Sequence, residues 1–468
     1  MRVSTILFAL AAVAFASAQQ PAYTCDPNQC KLPTCQCASK NPPAGIQPAN
    51  APQFLTFTFD DSIQENLMKT AYTLLNRKNP NGCPARGTWF VSIQYTDMEL
   101  VTQWYGAGHE VADHTYTHVG SPSEQEISSC KQILNSFAGI PKSKLAGFRA
   151  PFLNYTADTL ANVAKLGFAY DSSSTAQVED AYWPYTLDNG MANDCWTGIC
   201  DPGKVKLPGL WEIPMHAIVD APQKPPHLMD PYLDLPPDQM LQLMKDNFNR
   251  HYNGGRQPFG IYVHPVHLTA GAEPRDTAPL VNMLTQFLEW AMGQPDVWMV
   301  NNQQLLEWMR NPVPKDQLAS QPYMKCDVPK LGKEICNGLD DNGDGQIDEG
   351  VVESCSFPTG TFRTCYGCPG QYPTLEQPLP PRVNANRKPL PDNCDTLFWD
   401  STTGQCLPGG ALMVSNATTP AAANPSTSLG TLSGPNKVTP SGASSSATIV
   451  KSGVAMLLVS TLMGLLMA

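Results

Sequence analysis

Gly108-His109-Glu110-Val111-Ala112-Asp113-His114-Thr115-Tyr116-Thr117-His118 is the stretch on which the reading of this chain turns. Its first half reads as a short strand; its second half places two imidazoles four residues apart. That spacing predicts a helical turn with both rings on one face, within reach of one metal ion. Upstream, Phe57-Thr58-Phe59-Asp60-Asp61 ends an apolar strand in two adjacent carboxylates. Two His and one Asp around a metal leave a coordination position open for water, as catalytic zinc sites do, and the second carboxylate is then free to act as a base. His-x-x-x-His alone is a weak signal, because such pairs are common on surfaces and in cores. The strand-end Asp pair is what turns it toward a metal-dependent hydrolase.

Outward from this stretch, strands and helices alternate from Gln53 to about Pro314. Periodicity predicts strands over 54–59, 87–92, 109–112, 148–152, 168–172, 210–215, 259–264 and 297–300. It predicts helices over 65–76, 98–105, 157–166, 237–252, 277–292 and 302–310. Ser123-Glu124-Gln125-Glu126 reads as a capping box opening a further helix that runs to about Phe137. Such alternation implies an α/β fold with a mostly parallel sheet, open or closed into a barrel. Asp60, Asp61, His114, Arg149 and His264 all fall at or near predicted strand ends, where barrel chemistry lies.

The two ends set the compartment. Residues 1–18 have a basic start, a short apolar core and small residues at a cleavage position, the pattern of a secretory signal. The 15 cysteines of the 468-residue chain are then expected to form disulfides, with one left over because the number is odd. Four of them, Cys25, Cys30, Cys35 and Cys37, crowd the segment 19–48. Cys195 and Cys200 are expected to close a loop. Residues 407–452 are rich in Ser, Thr, Pro and Ala and carry the glycosylation acceptor Asn416-Ala417-Thr418. Small residues from Ser441, a polar spacer and the apolar tail 453–468 fit a glycosylphosphatidylinositol-attachment signal whose tail is removed. The mature protein is thus expected outside the cell, lipid-anchored to the plasma membrane and close to a cell wall. A net charge of −11 without a basic run excludes nucleic acid as a partner class.

Thr58-Phe59-Asp60-Asp61, His114-Thr115-Tyr116-Thr117-His118, Arg149-Ala150-Pro151-Phe152 and Ile261-Tyr262-Val263-His264 together, in this order, resemble the motifs of the polysaccharide deacetylases. These are the family-four carbohydrate esterases with NodB homology. Asn79-Pro80-Asn81-Gly82-Cys83, Tyr170-Asp171-Ser172-Ser173, Trp183-Pro184-Tyr185-Thr186 and the first cysteine cluster look most like the chitin deacetylase branch known from insects. The resemblance implies a distorted (β/α) barrel over a catalytic domain at 49–315. It implies a divalent metal, usually Zn2+ and in some members Co2+ or Ni2+, on Asp61, His114 and His118. It implies Asp60 as general base and Arg149 as the group that orients it. The backbone N–H of Phe152, where the family commonly has Tyr, would stabilise an oxyanion. His264 would protonate the leaving amine, with Asp171 as its partner, and Trp183 would wall the acetyl pocket. His267, three residues after His264, is read as no second metal pair; His109 is read as a hydrogen-bonding residue, and His216, His227 and His251 as structural.

After Pro312 the alternation stops. Asp340, Asn342, Asp344 and Asp348 stand at positions one, three, five and nine of an EF-hand-like loop, with Gly345 at six and the Gln346 carbonyl at seven. Position twelve is Val351, so the last ligand is absent or comes from Glu349 or Glu353. Oxygen ligands select Ca2+. Cysteines from Cys326 to Cys406 make 326–406 read as a separate disulfide-rich C-terminal module. The expected activity is removal of N-acetyl groups from N-acetylglucosamine units of chitin. The alternatives are an O-acetyl esterase on xylan or another acetylated glycan, or a non-catalytic wall-binding protein.

Overall fold

The computed structural model describes residues 23–220, 226–328, 331–384 and 386–407. The signal segment, the Ser/Thr-rich stretch and the apolar tail lie outside the described residues. The first strand, β1 (Gln53–Asp61), has eight of its nine residues buried, as a central parallel strand must. It is followed by α1 (Glu65–Leu75), β2 (Thr88–Val91), α2 (Met98–Gly106) and β3 (Glu110–Asp113). Next come α3 (Glu124–Ala138), β4 (Gly147–Phe148), α4 (Ala157–Lys165), β5 (Tyr170–Asp171), β6 (Thr175–Ala176) and β7 (Tyr185–Leu187). The remainder of the barrel is β8 (Leu207–Glu212), β9 (Met215–His216), α5 (Pro237–Asn253), β10 (Phe259–Val263), α6 (Ala278–Met292), β11 (Val297–Val300) and α7 (Asn302–Arg310). The parallel path runs β10-β1-β2-β3-β4-β5-β8, with β7 antiparallel at its edge and β11 on the first half of β1. Its two ends, β8 and β10, do not pair with each other, so the sheet curls as an open barrel.

Proline ends two of the predicted strands before their periodicity does. Pro151 has no N–H for the ladder, so β4 stops at Phe148 and a 3-10 turn follows at Pro151–Leu153. Pro214 likewise separates β8 from β9. The apolar helix faces close over Leu55, Phe57, Phe59 and their neighbours. A second cluster packs Phe54, Trp183, Trp298 and Trp308 with α7.

Fourteen of the cysteines pair: Cys25–Cys37, Cys30–Cys35, Cys83–Cys326, Cys195–Cys200, Cys336–Cys365, Cys355–Cys368 and Cys394–Cys406. Cys130 is the odd one, buried in α3. The C-terminal region is disulfide-rich as its composition suggests, and it is anchored on the barrel. Cys326 is tied to Cys83 of the barrel, and the hairpin of β12 (Glu353–Phe357) and β13 (Gly360–Thr364) docks on α2. There Arg363 pairs with Asp97 (2.7 Å) and Glu99 (3.0 Å), and Thr364 Oγ1 donates to Phe137 O. Helix α2 admits this neighbour because Gly106 lacks a side chain: a Cβ there would lie 2.3 Å from Asn337 O.

The calcium-loop ligands are only partly gathered. Asp340 accepts from the amides of Gly343 and Gly345, Asn342 from that of Asp344, and Asp344 from that of Gln346. Asp348 leaves the predicted set. Its carboxylate is buried and accepts from the Asn337 and Gly338 amides on the barrel side. Glu349 instead reaches the loop, accepting from Asn342 Nδ2 at 2.6 Å.

Candidate active site

Asp60 and Asp61 end β1, and the sheet brings the ends of β3, β4, β5 and β10 around them. Asp60 is buried, with Oδ1 2.7 Å from Arg149 Nη1 and Oδ2 3.9 Å from His114 Nε2. A buried guanidinium is costly unless every donor is used. Arg149, fully buried, also reaches Thr58 Oγ1 (2.9 Å), Ser172 O (2.8 Å) and Ser172 Oγ (3.2 Å), and its face lies 4.0 Å from the Phe90 ring centroid. Asp60 is thereby held as one half of a fixed ion pair.

Asp61, His114 and His118 each offer a ligand atom within 4.8 Å of the others'. Asp61 Oδ1 lies 3.1 Å from His118 Nε2 and 3.7 Å from His114 Nε2. His114 Nδ1 faces Arg149 O at 2.8 Å; a carbonyl only accepts, so Nδ1 carries the proton and Nε2 presents a lone pair. Burial lowers the His114 pKa, keeping the ring neutral as a ligand must be. Burial works the other way on Asp61, but His118 and His114 outweigh it and hold its pKa at about 2. Asp61 Oδ1 and His118 Nε2 are both buried without a hydrogen-bond partner. Orphaned acceptors converging beside a lone pair fit a divalent cation, and the residues present suit an Asp–His–His metal site.

The local route to this geometry differs from the predicted helical turn. His114 to His118 form a bend in which Thr115 (φ 69°) and His118 (φ 57°) are left-handed. Asp113 Oδ1 accepts from the Thr115 amide, and Glu126 accepts from the Thr117 amide (2.9 Å) and hydroxyl (2.6 Å). Ser123 caps α3 as predicted, accepting from the Glu126 amide, but the Glu126 carboxylate serves the His118 bend. Phe152 also has positive φ (59°); its ring is exposed and lies at 68° to the His118 ring, centroids 4.7 Å apart.

His264 follows β10, and its partner is Asp230, not Asp171. Asp230 Oδ2 lies 2.5 Å from His264 Nδ1, and Asp230 Oδ1 accepts from the His264 amide at 2.7 Å. Burial would depress the His264 pKa, but Asp230 outweighs it, with help from Asp60 and Asp61, and raises it to about 9. Asp171 is fully buried, and both its oxygens accept from Ser173, through the amide and the hydroxyl. It acts on the loop that feeds Arg149. Trp183 is no pocket wall either: it is buried, stacked on Trp308 with centroids 5.2 Å apart, and donates to Gly255 O. Sequence reasoning missed Asp230 because it lies in an irregular loop with no motif, near β10 only in space. Glu126 was visible, but as a cap.

An arginine-held carboxylate beside an Asp–His–His triad, at the open mouth of a parallel barrel, is the equipment of a hydrolase that activates water. A polysaccharide deacetylase family profile matches residues 48–170. Chitin deacetylase 8 of Bombyx mori is 31% identical over 399 residues, covering 81% of this chain and 99% of that protein. Chitin deacetylase 1 of the same organism is 29% identical over 394 residues, covering 76% of this chain and 68% of its own. A family 4 carbohydrate esterase from Streptomyces lividans, solved with acetate, aligns with 53% of this chain and 91% of its own at 18% identity and a TM-score of 0.29. The chain belongs to the polysaccharide deacetylase family, hydrolases that act on N-acetyl amides.

Proposed function

We propose that this protein removes N-acetyl groups from N-acetylglucosamine units of chitin or its oligomers, using a zinc ion on Asp61, His114 and His118. The observation that carries this reading is the division of labour between neighbouring carboxylates. Asp61 faces the two imidazoles, whereas Asp60 is held by Arg149. Two imidazoles and a carboxylate form a borderline donor set that suits zinc. When bound, the cation contributes Lewis acidity, easing deprotonation of water and offsetting charge on the amide oxygen.

Asp60 takes the proton of the attacking water, and Arg149 keeps its carboxylate aimed. The Phe152 amide donates to the oxygen of the tetrahedral centre, its positive φ setting the N–H direction. His264, kept protonated by Asp230, gives its proton to the sugar nitrogen as the C–N bond breaks, leaving acetate and a free amine.

The test is acetate release from chitin oligomers and from acetylated xylan side by side, with the zinc-loaded protein. Release from the oligomers supports the proposal; release from xylan alone makes the protein an O-acetyl esterase. Asp60→Asn keeps an acceptor for Arg149 and is expected to retain zinc while losing about 10²–10⁴-fold in rate. Loss of the metal in that variant would show that the two carboxylates have exchanged roles. We also propose a cell-surface location through the lipid anchor, which release by phosphatidylinositol-specific phospholipase checks; membrane association that survives the enzyme refutes it.

A further inference from the structure

His267 stands outside the machinery just described, yet it completes a second group of ligand-type side chains. Asp230, His264 and His267 each offer an atom within 4.8 Å of the others'. Asp230 Oδ2 is the common point, 2.5 Å from His264 Nδ1 and 3.8 Å from His267 Nε2. The 3-10 turn Pro265–Leu268 carries His267 back toward His264, so the rings stand 5.8 Å apart at 76° rather than stacked.

His267 is already set as a ligand. Its Nδ1 lies 2.9 Å from Glu273 Oε1, and Glu273 is ion-paired with Arg275 at 2.9 Å. A carboxylate on Nδ1 fixes the proton there and leaves the Nε2 lone pair for Asp230's side, the arrangement that orients metal-bound histidines. The side chains of His264 and His267 are about one-quarter exposed (25% and 26%), so ions reach them from solvent. Tetrahedral zinc, with bonds of about 2.0–2.1 Å, holds its ligand atoms roughly 3.3 Å apart. The His264–Asp230 contact would open by about 0.8 Å and the His267–Asp230 contact close by about 0.5 Å, rotamer-scale adjustments.

The geometry points to a second cation site at Asp230, His264 and His267 that takes zinc when zinc is in excess and thereby switches the enzyme off. Zinc on Nδ1 displaces that nitrogen's proton to solvent. It also removes Asp230 from His264, leaving a neutral, metal-bound ring that is a far weaker donor to the amine. The inhibitory half of this inference rests on His264 being the proton donor; the site itself does not. Filling the second site breaks the His264–Asp230 contact, whereas the first breaks no such pair, so the first fills at lower zinc.

Zinc titration of the full-length protein by calorimetry, with metal analysis after dialysis, reads the site without activity. Wild type is expected to bind two zinc ions per chain, the second more weakly. His267→Ala is expected to bind one, to release acetate normally at low zinc and to resist excess zinc. Should that variant fold poorly, Glu273→Gln, which meets the His267 ring on its far nitrogen and leaves Nε2 in place, is expected to weaken the second site about 10–100-fold. One zinc per chain in wild type, or two retained in both variants, overturns the site. Two ions in wild type and one in His267→Ala, with acetate release unaffected by excess zinc, upholds the site and instead removes His264 from the donor role.

Discussion

The pairing of His264 with Asp230 gives the residue scale its sharpest prediction. The pair raises the His264 pKa from its ordinary 6.5 to about 9, so the imidazolium persists into alkaline solution. The sign is that of a cation stabilised by an anion. The pair's contribution to stability is complete below pH 6.5 and is lost as pH rises through about 9. Activity that needs the imidazolium must fall in that same window. In Asp230→Asn the charge is gone while the shape stays. Its alkaline limb is expected to move down by about 1–3 pH units in a rate–pH profile on chitin oligomers. An unmoved limb would assign the limb to another group. Nothing in the sequence links position 230 to position 264; only the carboxylate's place beside the end of β10 does.

At the scale of elements, the site rests on backbone that sequence patterns describe poorly. Asp61, Thr115, His118, Phe152 and Leu153 all have positive φ without being glycine. Each such residue costs on the order of 1–3 kcal/mol and persists only where its surroundings enforce it. For the His118 bend the enforcement comes from Glu126, across the start of α3. Glu126→Ala is expected to leave α3 capped by Ser123 but to weaken the zinc binding proposed for Asp61, His114 and His118 about 10–100-fold. Glu126→Gln, which keeps one acceptor for the Thr117 amide, is expected to recover part of that loss. Equal zinc affinity in all three proteins would make Glu126 a helix residue only. Four-residue spacing suggested a helix because it matches the helical period; the bend reaches the same face by strain.

At the scale of the whole molecule, the disulfide-rich region and the barrel form one compact unit. Gly139 ends α3 with φ 66°, and a Cβ there would fall 1.9 Å from the Tyr366 hydroxyl, which itself donates to Cys336 O. Gly139→Ala is therefore expected to destabilise the entire protein by about 1–3 kcal/mol through overpacking, seen as one melting transition at lower temperature. Early loss of the cysteine-rich region alone, in limited proteolysis or as a separate transition, would show two independent bodies. The sequence by itself determined the alternation of strands and helices, the strand-end positions of Asp60, Asp61, His114, Arg149 and His264, and the grouping of Asp61 with His114 and His118 that could hold a metal. Those features are local: periodicity, turn chemistry and ordered motifs are written in neighbouring residues. Only the tertiary structure decided that Asp230 serves His264, that Glu126 holds the His118 bend, and that Cys326 reaches back to Cys83. Each of these joins residues of different elements or turns on an irregular loop, and such meetings are set by how the sheet curls and the helices pack, which no local pattern encodes.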